Sequence, residues 1–141
     1  MGQELIEIKS CTEEGYHSLV FFEGWRVGLL NDTPRFHQGQ ACEMQRHNTS
    51  DEVFLLLEGR FTLYVADGGE EGPKTVTAVE LETGKIYRVP KGVWHTHVTF
   101  PGTKVAVIEN ADVSSKNSDR VFVDLQKKLP ATRQGQEENI G

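Results

Sequence analysis

Short apolar segments separated by turn-forming residues make up most of the chain. None of them has the 3.6-residue period of a long amphipathic helix, and several alternate apolar and polar residues as a half-buried strand does. The pattern predicts strands at residues 19–22, 25–30, 41–47, 52–58, 61–66, 75–81, 86–89, 94–100 and 104–109. About nine or ten short strands with regularly spaced turns are typical of a β-sandwich or barrel. The predicted fold class is therefore all-β.

The two ends of the chain have weaker patterns. Residues 5–8 alternate over one short stretch only, which predicts an edge strand or a short arm. Residues 120–129 fit a last strand or a short helix, and the pattern leaves both open. Residues 131–141 are polar without periodicity, which predicts a mobile tail. We therefore expect one domain over residues 1–130, with no internal repeat.

One apolar run, residues 53–57, contains no polar side chain and predicts a strand that is buried on both faces. Glu52 opens this run, and a carboxylate is costly to bury unless it is paired or bound to a cation. Three of the five histidines of the chain lie in two stretches, residues 39–59, which also contain Glu52, and residues 84–99. Imidazole and carboxylate are donors that divalent transition metals prefer. Buried histidines and a buried glutamate together suggest a metal site.

Strand parity groups the polar side chains of these two stretches. Alternate residues of a strand share a face, so Gln45 and His47 should point in one direction. By the same rule, His95, His97 and Thr99 should share a face on their own strand. His97 would then be a second imidazole lining the same interior as His95.

Composition and charge exclude several classes of function. The formal net charge is −6 and no basic cluster is present, so a nucleic acid partner is not expected. No apolar run is long enough to span a membrane, and Glu7 and Lys9 interrupt the N-terminal apolar residues, so neither a membrane partner nor a signal peptide is expected. Cytoplasmic residence is the default expectation. Cys11 and Cys42 have no CxxC spacing, which favours two buried free thiols.

Two spacings carry a family resemblance. They are Gly39-x5-Gln45-x-His47-x4-Glu52-x6-Gly59 and Gly84-x5-Pro90-x-Gly92-x2-His95-x3-Thr99. Together they closely resemble the two signature motifs of the cupin family. The family has histidine where Gln45 stands and asparagine where Thr99 stands, and every other signature position matches.

The resemblance implies a fold, a cofactor and an assembly. The fold would be a double-stranded β-helix, or jelly-roll barrel, that binds a metal ion inside with residues of both motifs. His47, Glu52 and His95 look like three of the four metal ligands, and Gln45 takes the fourth position. The expected cofactor is a divalent ion such as zinc, manganese, iron or nickel. Cupins often pair through their outer sheet, so a homodimer is expected.

The family includes dioxygenases, isomerases and epimerases, decarboxylases and non-catalytic binding modules, so the fold leaves the reaction open. The preferred interpretation is a protein that binds a divalent metal together with a small polar or carbohydrate-like ligand. An alternative is a metal-dependent enzyme of the isomerase, epimerase or dioxygenase class, with His97 as the catalytic acid or base. His97 could also coordinate the metal or hydrogen-bond to a ligand. Because Gln45 replaces a ligand histidine, a metal-free sensing or interaction module is a further alternative.

Overall fold

The computed structural model describes residues 5–37, 42–123, 125 and 131–132. The strands of these residues are β1 (Gly15–Phe22), β2 (Trp25–Asn31), β3 (Cys42–His47), β4 (Glu52–Glu58), β5 (Phe61–Ala66), β6 (Val76–Glu80), β7 (Tyr87–Val89), β8 (Trp94–Thr99), β9 (Lys104–Asn110), β10 (Ser118–Val123) and β11 (Ala131–Thr132). Two single-turn 3-10 helices cover Pro34–Phe36 and Ser115–Asn117. Within the described residues, no helix is long and apolar enough to cross a membrane.

The strands form two sheets. One has the order β1-β2-β9-β4-β7 and the other the order β10-β3-β8-β5-β6-β11. The paired strands run antiparallel, with the exception of β11, which pairs parallel to β6. The architecture confirms the predicted all-β double-stranded β-helix, a jelly-roll barrel.

Apolar side chains from both sheets fill the space between them. Phe54 and Val107 come from the five-stranded sheet, and Phe61 and Leu63 from the six-stranded sheet. A second apolar cluster includes Met44 and Trp94. Their neighbours in the sequence, Gln45 and His95, line the interior. Because neighbouring residues of a strand point to opposite faces, the six-stranded sheet has buried apolar residues on its outer side as well.

The bounds predicted for β4 and β5 agree with the structure, whereas the prediction that β4 is buried on both faces is wrong. Phe54 and Leu56 are buried, but Val53 and Leu55 are only half-buried and Leu57 is 42% exposed. The reason is that, among the described residues, no further layer covers the outer face of the five-stranded sheet as a second sheet would.

The structure also decides the open alternatives at the ends of the chain. Residues 5–8 form no strand and their apolar side chains are exposed, so the segment is an arm. Residues 120–123 belong to strand β10, and most of 124–130 lies outside the described residues. The predicted mobile tail begins with β11, and residues 133–141 lie outside the described residues. Cys11 is a free thiol but is only half-buried, so its predicted burial is wrong, and nothing is described of the Cys42 side chain.

Candidate metal centre

Three strands bring His47, Glu52 and His95 together. His47 ends β3, Glu52 begins β4 and His95 is the second residue of β8. The turn before β8 is hydrogen-bonded to the end of β3, because the amide of Gly92 donates to the carbonyl of His47 at 2.7 Å. Gly92 has φ of 83°, a left-handed conformation that favours glycine. This turn therefore fixes where His95 enters the sheet relative to His47.

The three side chains converge in the interior as their spacing and parity predict. All three are buried, and one potential donor atom from each lies within 4.8 Å of the others. Glu52 Oε1 is 2.9 Å from His95 Nε2 and 3.8 Å from His47 Nε2. The group could hold a metal ion.

Hydrogen bonds at Nδ1 fix the orientation of both imidazoles. His47 Nδ1 shares a hydrogen bond of 2.8 Å with Ser118 Oγ, and His95 Nδ1 donates to the carbonyl of Val93 at 3.0 Å. Each ring therefore presents Nε2 to the interior, and neither Nε2 has a hydrogen-bond partner among the described residues although both are buried. The short contact from Glu52 to His95 Nε2 lies outside the direction of a good hydrogen bond. Histidines that ligate a metal show this arrangement, with one ring nitrogen anchored and the other free.

A second buried carboxylate, Glu109, lies beside the group and was not among the residues predicted from the sequence. It stands directly opposite Glu52 in the pairing of β4 with β9. Its Oε1 is 3.9 Å from His47 Nε2 and has no hydrogen-bond partner in the described part of the chain. Its Oε2 accepts hydrogen bonds from Arg26 Nη2 at 2.7 Å and Nε at 3.2 Å. The sequence signal was available, because Val105, Val107 and Glu109 alternate along β9 and share its buried face.

The two carboxyl groups have opposite pKa shifts. Burial would raise the pKa of Glu52, but the adjacent imidazoles of His47 and His95 outweigh it and hold that pKa well below its usual range. Burial and the neighbouring Glu52 raise the pKa of Glu109 to about 7, against the opposing effect of Arg26. Two adjacent carboxylates cannot both ionise cheaply in an interior without a compensating positive charge.

His97 lies in the same cavity but outside this donor group. Its ring stacks on Phe61 at 5.1 Å between centroids and meets the edge of Phe36 at 4.7 Å. Burial lowers the pKa of His97 to about 4, so the ring is neutral near pH 7. Its Nε2 is buried and has no hydrogen-bond partner within the described residues. His97 therefore lines the cavity with a neutral ring and an unpartnered Nε2.

Thr99, where the family motif has asparagine, has a positioning role. Its Oγ1 donates to Asp32 Oδ1 at 2.7 Å, and the same oxygen is 2.8 Å from His37 Nε2. These bonds fasten the segment that carries Phe36 to the end of β8. Thr99 thus supports the aromatic wall around His97.

The cavity that contains these groups has a volume of about 1260 Å³. Gln45 lines it and is half-buried, directly opposite His95 in the pairing of β3 with β8. Its other lining residues are aliphatic, aromatic and polar, and the last two kinds include Arg35, Arg60, Tyr64, Phe100 and Arg120. The space is large enough for a small organic ligand beside the donor group.

The family model described as "Cupin domain" matches residues 35–110, which contain both signature motifs in full. The chain belongs to the cupin family. Among curated proteins, none matches this cupin.

Solved structures share the fold of this cupin at low sequence identity. A protein from Neisseria meningitidis is 23% identical with a TM-score of 0.50, over 71% of this chain and 89% of that one. A protein from Bacillus halodurans is 15% identical with a TM-score of 0.56, over 73% and 74% of the two chains. A variant of oxalate decarboxylase from Bacillus subtilis is 13% identical with a TM-score of 0.52, over 75% of this chain and 28% of that one. At these identities the likeness is one of fold.

Proposed function

We propose that this cupin binds one divalent transition-metal ion through His47, Glu52 and His95, and holds a small polar or carbohydrate-like ligand beside it. One observation carries the proposal: two buried imidazole Nε2 atoms without hydrogen-bond partners in the described residues converge on a buried carboxylate. Leaving such groups buried and unpaired costs about 1–3 kcal/mol each, and a bound cation would remove that cost. Zinc, manganese, iron and nickel are the candidate ions, since all accept nitrogen and carboxylate donors.

The residues around the site would have different roles in binding the metal and the ligand. Ser118 and the carbonyl of Val93 hold His47 and His95 in the ring orientation that presents Nε2. Phe54 and Phe61 pack against each other, and their rings contact His95 and His97 respectively. A divalent ion bound there would supply a positive charge and exchangeable positions for an oxygen-bearing ligand. Gln45 offers only a neutral amide oxygen, a weaker donor than imidazole, so it would be a weak ligand or none.

Metal analysis of the purified protein tests this function. After stripping with a chelator, the protein should take up one zinc, manganese, iron or nickel ion per chain, measured by mass spectrometry after desalting. Calorimetric titration of the loaded protein with small hydroxy acids, dicarboxylates and monosaccharides should then identify the ligand class. A protein that takes up none of the four ions would favour the metal-free sensing or interaction module instead.

A metal-dependent enzyme is the second candidate, and His97 is the observation that favours it. A buried imidazole that is neutral near pH 7 and unpartnered at Nε2 can accept a proton from a bound ligand or donate a hydrogen bond to it. The reaction would then belong to the isomerase, epimerase or dioxygenase class.

The His97→Phe variant should bind metal normally and bind ligand about 10-fold more weakly, the loss that one hydrogen bond produces. Phenylalanine keeps an aromatic ring between Phe36 and Phe61 but removes both ring nitrogens. The measurement is calorimetry of the metal-loaded variant with the tightest ligand of the panel above. If His97→Phe fails to retain metal, His97 coordinates the metal, and the proposal that it contacts only the bound small ligand is disproved.

We also propose that two copies of this cupin pair through the outer face of the five-stranded sheet. Two apolar rows cross β2, β9 and β4 on that face: Val27, Ile108 and Val53 in one, and Leu29, Ala106 and Leu55 in the next. All six residues are half-buried in the single chain, and Leu57 beside them is 42% exposed. Covering such a face with an identical face gives the two-fold dimer that is commonest among oligomers.

Light scattering should give twice the 15.8 kDa mass of the chain. Leu55→Lys should shift the protein to monomer, because it places a charge in the middle of the apolar rows. Phe122→Lys serves as the control, since Phe122 is 76% exposed on the other sheet and the substitution should leave the dimer intact. A monomer mass for the unmodified chain at all concentrations tested would disprove the pairing.

A further inference from the structure

Glu109 has a buried carboxylate oxygen without a hydrogen-bond partner in the described residues. The side chain is 4% exposed, and Oε1 lacks a hydrogen-bond partner there, whereas Oε2 is held by Arg26. Arg26 is itself braced by the carbonyls of Ala111 at 3.5 Å and Val113 at 3.4 Å. The arrangement holds the carboxylate in one orientation, with one oxygen fastened and the other directed toward His47.

The free oxygen lies next to one of the three proposed ligands. His47 Nε2 is flanked almost symmetrically, by Glu52 Oε1 at 3.8 Å and Glu109 Oε1 at 3.9 Å. Donor atoms that each lie about 2.0–2.2 Å from one metal ion are at most about 4.4 Å apart, so both oxygens are close enough to His47 to share an ion with it. Glu109 lies outside the group whose donor atoms are all within 4.8 Å of one another, so its side chain would shift toward the other two donors when it binds the ion.

Charge in the interior also favours a cation at this point. Glu52 and Glu109 are buried on neighbouring strands in direct register, and Arg26 contacts only Glu109 of the two. A divalent ion beside Oε1 would compensate the charge that a single arginine leaves. It would also give a partner to the oxygen that has none.

Resting on the proposed metal-binding function, we propose that Glu109 is the fourth protein donor of the metal site. It would take the coordination position that the motif histidine leaves vacant where this chain has Gln45. The site would then consist of two imidazoles and two carboxylates. Such a set is harder and more negative than three imidazoles with one carboxylate, and it favours manganese and iron over copper.

The test compares the unmodified protein with Glu109→Gln, using cobalt(II) alone as the probe. Glutamine keeps the shape and can still accept from Arg26, but it offers a much poorer donor. We expect Glu109→Gln to weaken cobalt binding about 100-fold in competition with a chelator, and to change the visible absorption spectrum that reports cobalt coordination. The matched control is Glu80→Gln, another arginine-paired glutamate that lines the same cavity, and it should change neither.

A second variant separates the loss of a metal donor from a general structural effect of Glu109→Gln. Gln45→His in the Glu109→Gln background restores the motif histidine, and we expect it to recover most of the lost cobalt affinity. Two results overturn the assignment: an affinity within 3-fold of the unmodified protein, or a loss of affinity with an unchanged cobalt spectrum. Failure of the unmodified protein to bind any divalent ion would instead disprove the proposed function itself.

Discussion

Replacing His47 by alanine is expected to abolish metal binding by this cupin. The imidazole is one of two oriented donors, and no third imidazole of the described residues lies within the donor group. Glu52→Ala should have the same effect, because it removes the carboxylate that both histidines face. Gln45→Ala should weaken binding only mildly. The measurement is competition with a chelator for zinc and manganese, in which loss of a primary donor should cost more than about 100-fold.

His17→Ala is the matched control for these variants. His17, Cys11 and Glu13 form a second group whose donor atoms could hold an ion, but none of the three is buried. If the interior site accounts for the affinity, His17→Ala should bind metal as the unmodified protein does. An equal loss of metal in Gln45→Ala and His47→Ala would show that Gln45 is a true ligand.

Saturating metal is expected to raise the free energy of unfolding by about 4 kcal/mol at a free ion concentration about 1,000-fold above the dissociation constant. The reason is that the donors converge only in the folded chain, so the ion binds the native state alone. For a chain of 141 residues this corresponds to a rise in melting temperature of about 10–15 °C.

Thermal unfolding with manganese or zinc, compared with unfolding in a chelator, measures this shift. Glu52→Gln keeps the volume of the side chain and should melt at the same temperature with and without metal. A shift of equal size in Glu52→Gln would place the stabilising ion elsewhere on the protein.

The sequence predicted those parts of the site that depend on local pattern. The spacing of His47 and Glu52 around a short loop, and of Gly92 and His95 across a tight turn, is encoded within a few residues. The bounds of β4 follow from its apolar run in the same way. Turn chemistry and strand parity predict which side chains share a face, whereas the choice of His47, Glu52 and His95 as ligands came from the resemblance to the cupin motifs.

The features that the sequence did not reveal depend on long-range pairing. Glu109 meets Glu52 only because β9 lies between β2 and β4, and Arg26 reaches Glu109 from β2. Strand parity could have identified Glu109 as a charged residue on a buried face, but it could not have predicted that Glu109 lies beside Glu52 and Arg26. The exposure of Leu57 has a similar cause, since an apolar run does not reveal whether a further layer covers its second face.

Anomalous diffraction from crystals of the metal-loaded protein would locate the ion and its ligands. One strong peak per chain is expected inside the barrel, bonded to Nε2 of His47, Nε2 of His95 and a carboxylate oxygen of Glu52. An interior without a peak at saturating metal, or a peak bonded to none of these three side chains, would contradict the proposed metal site.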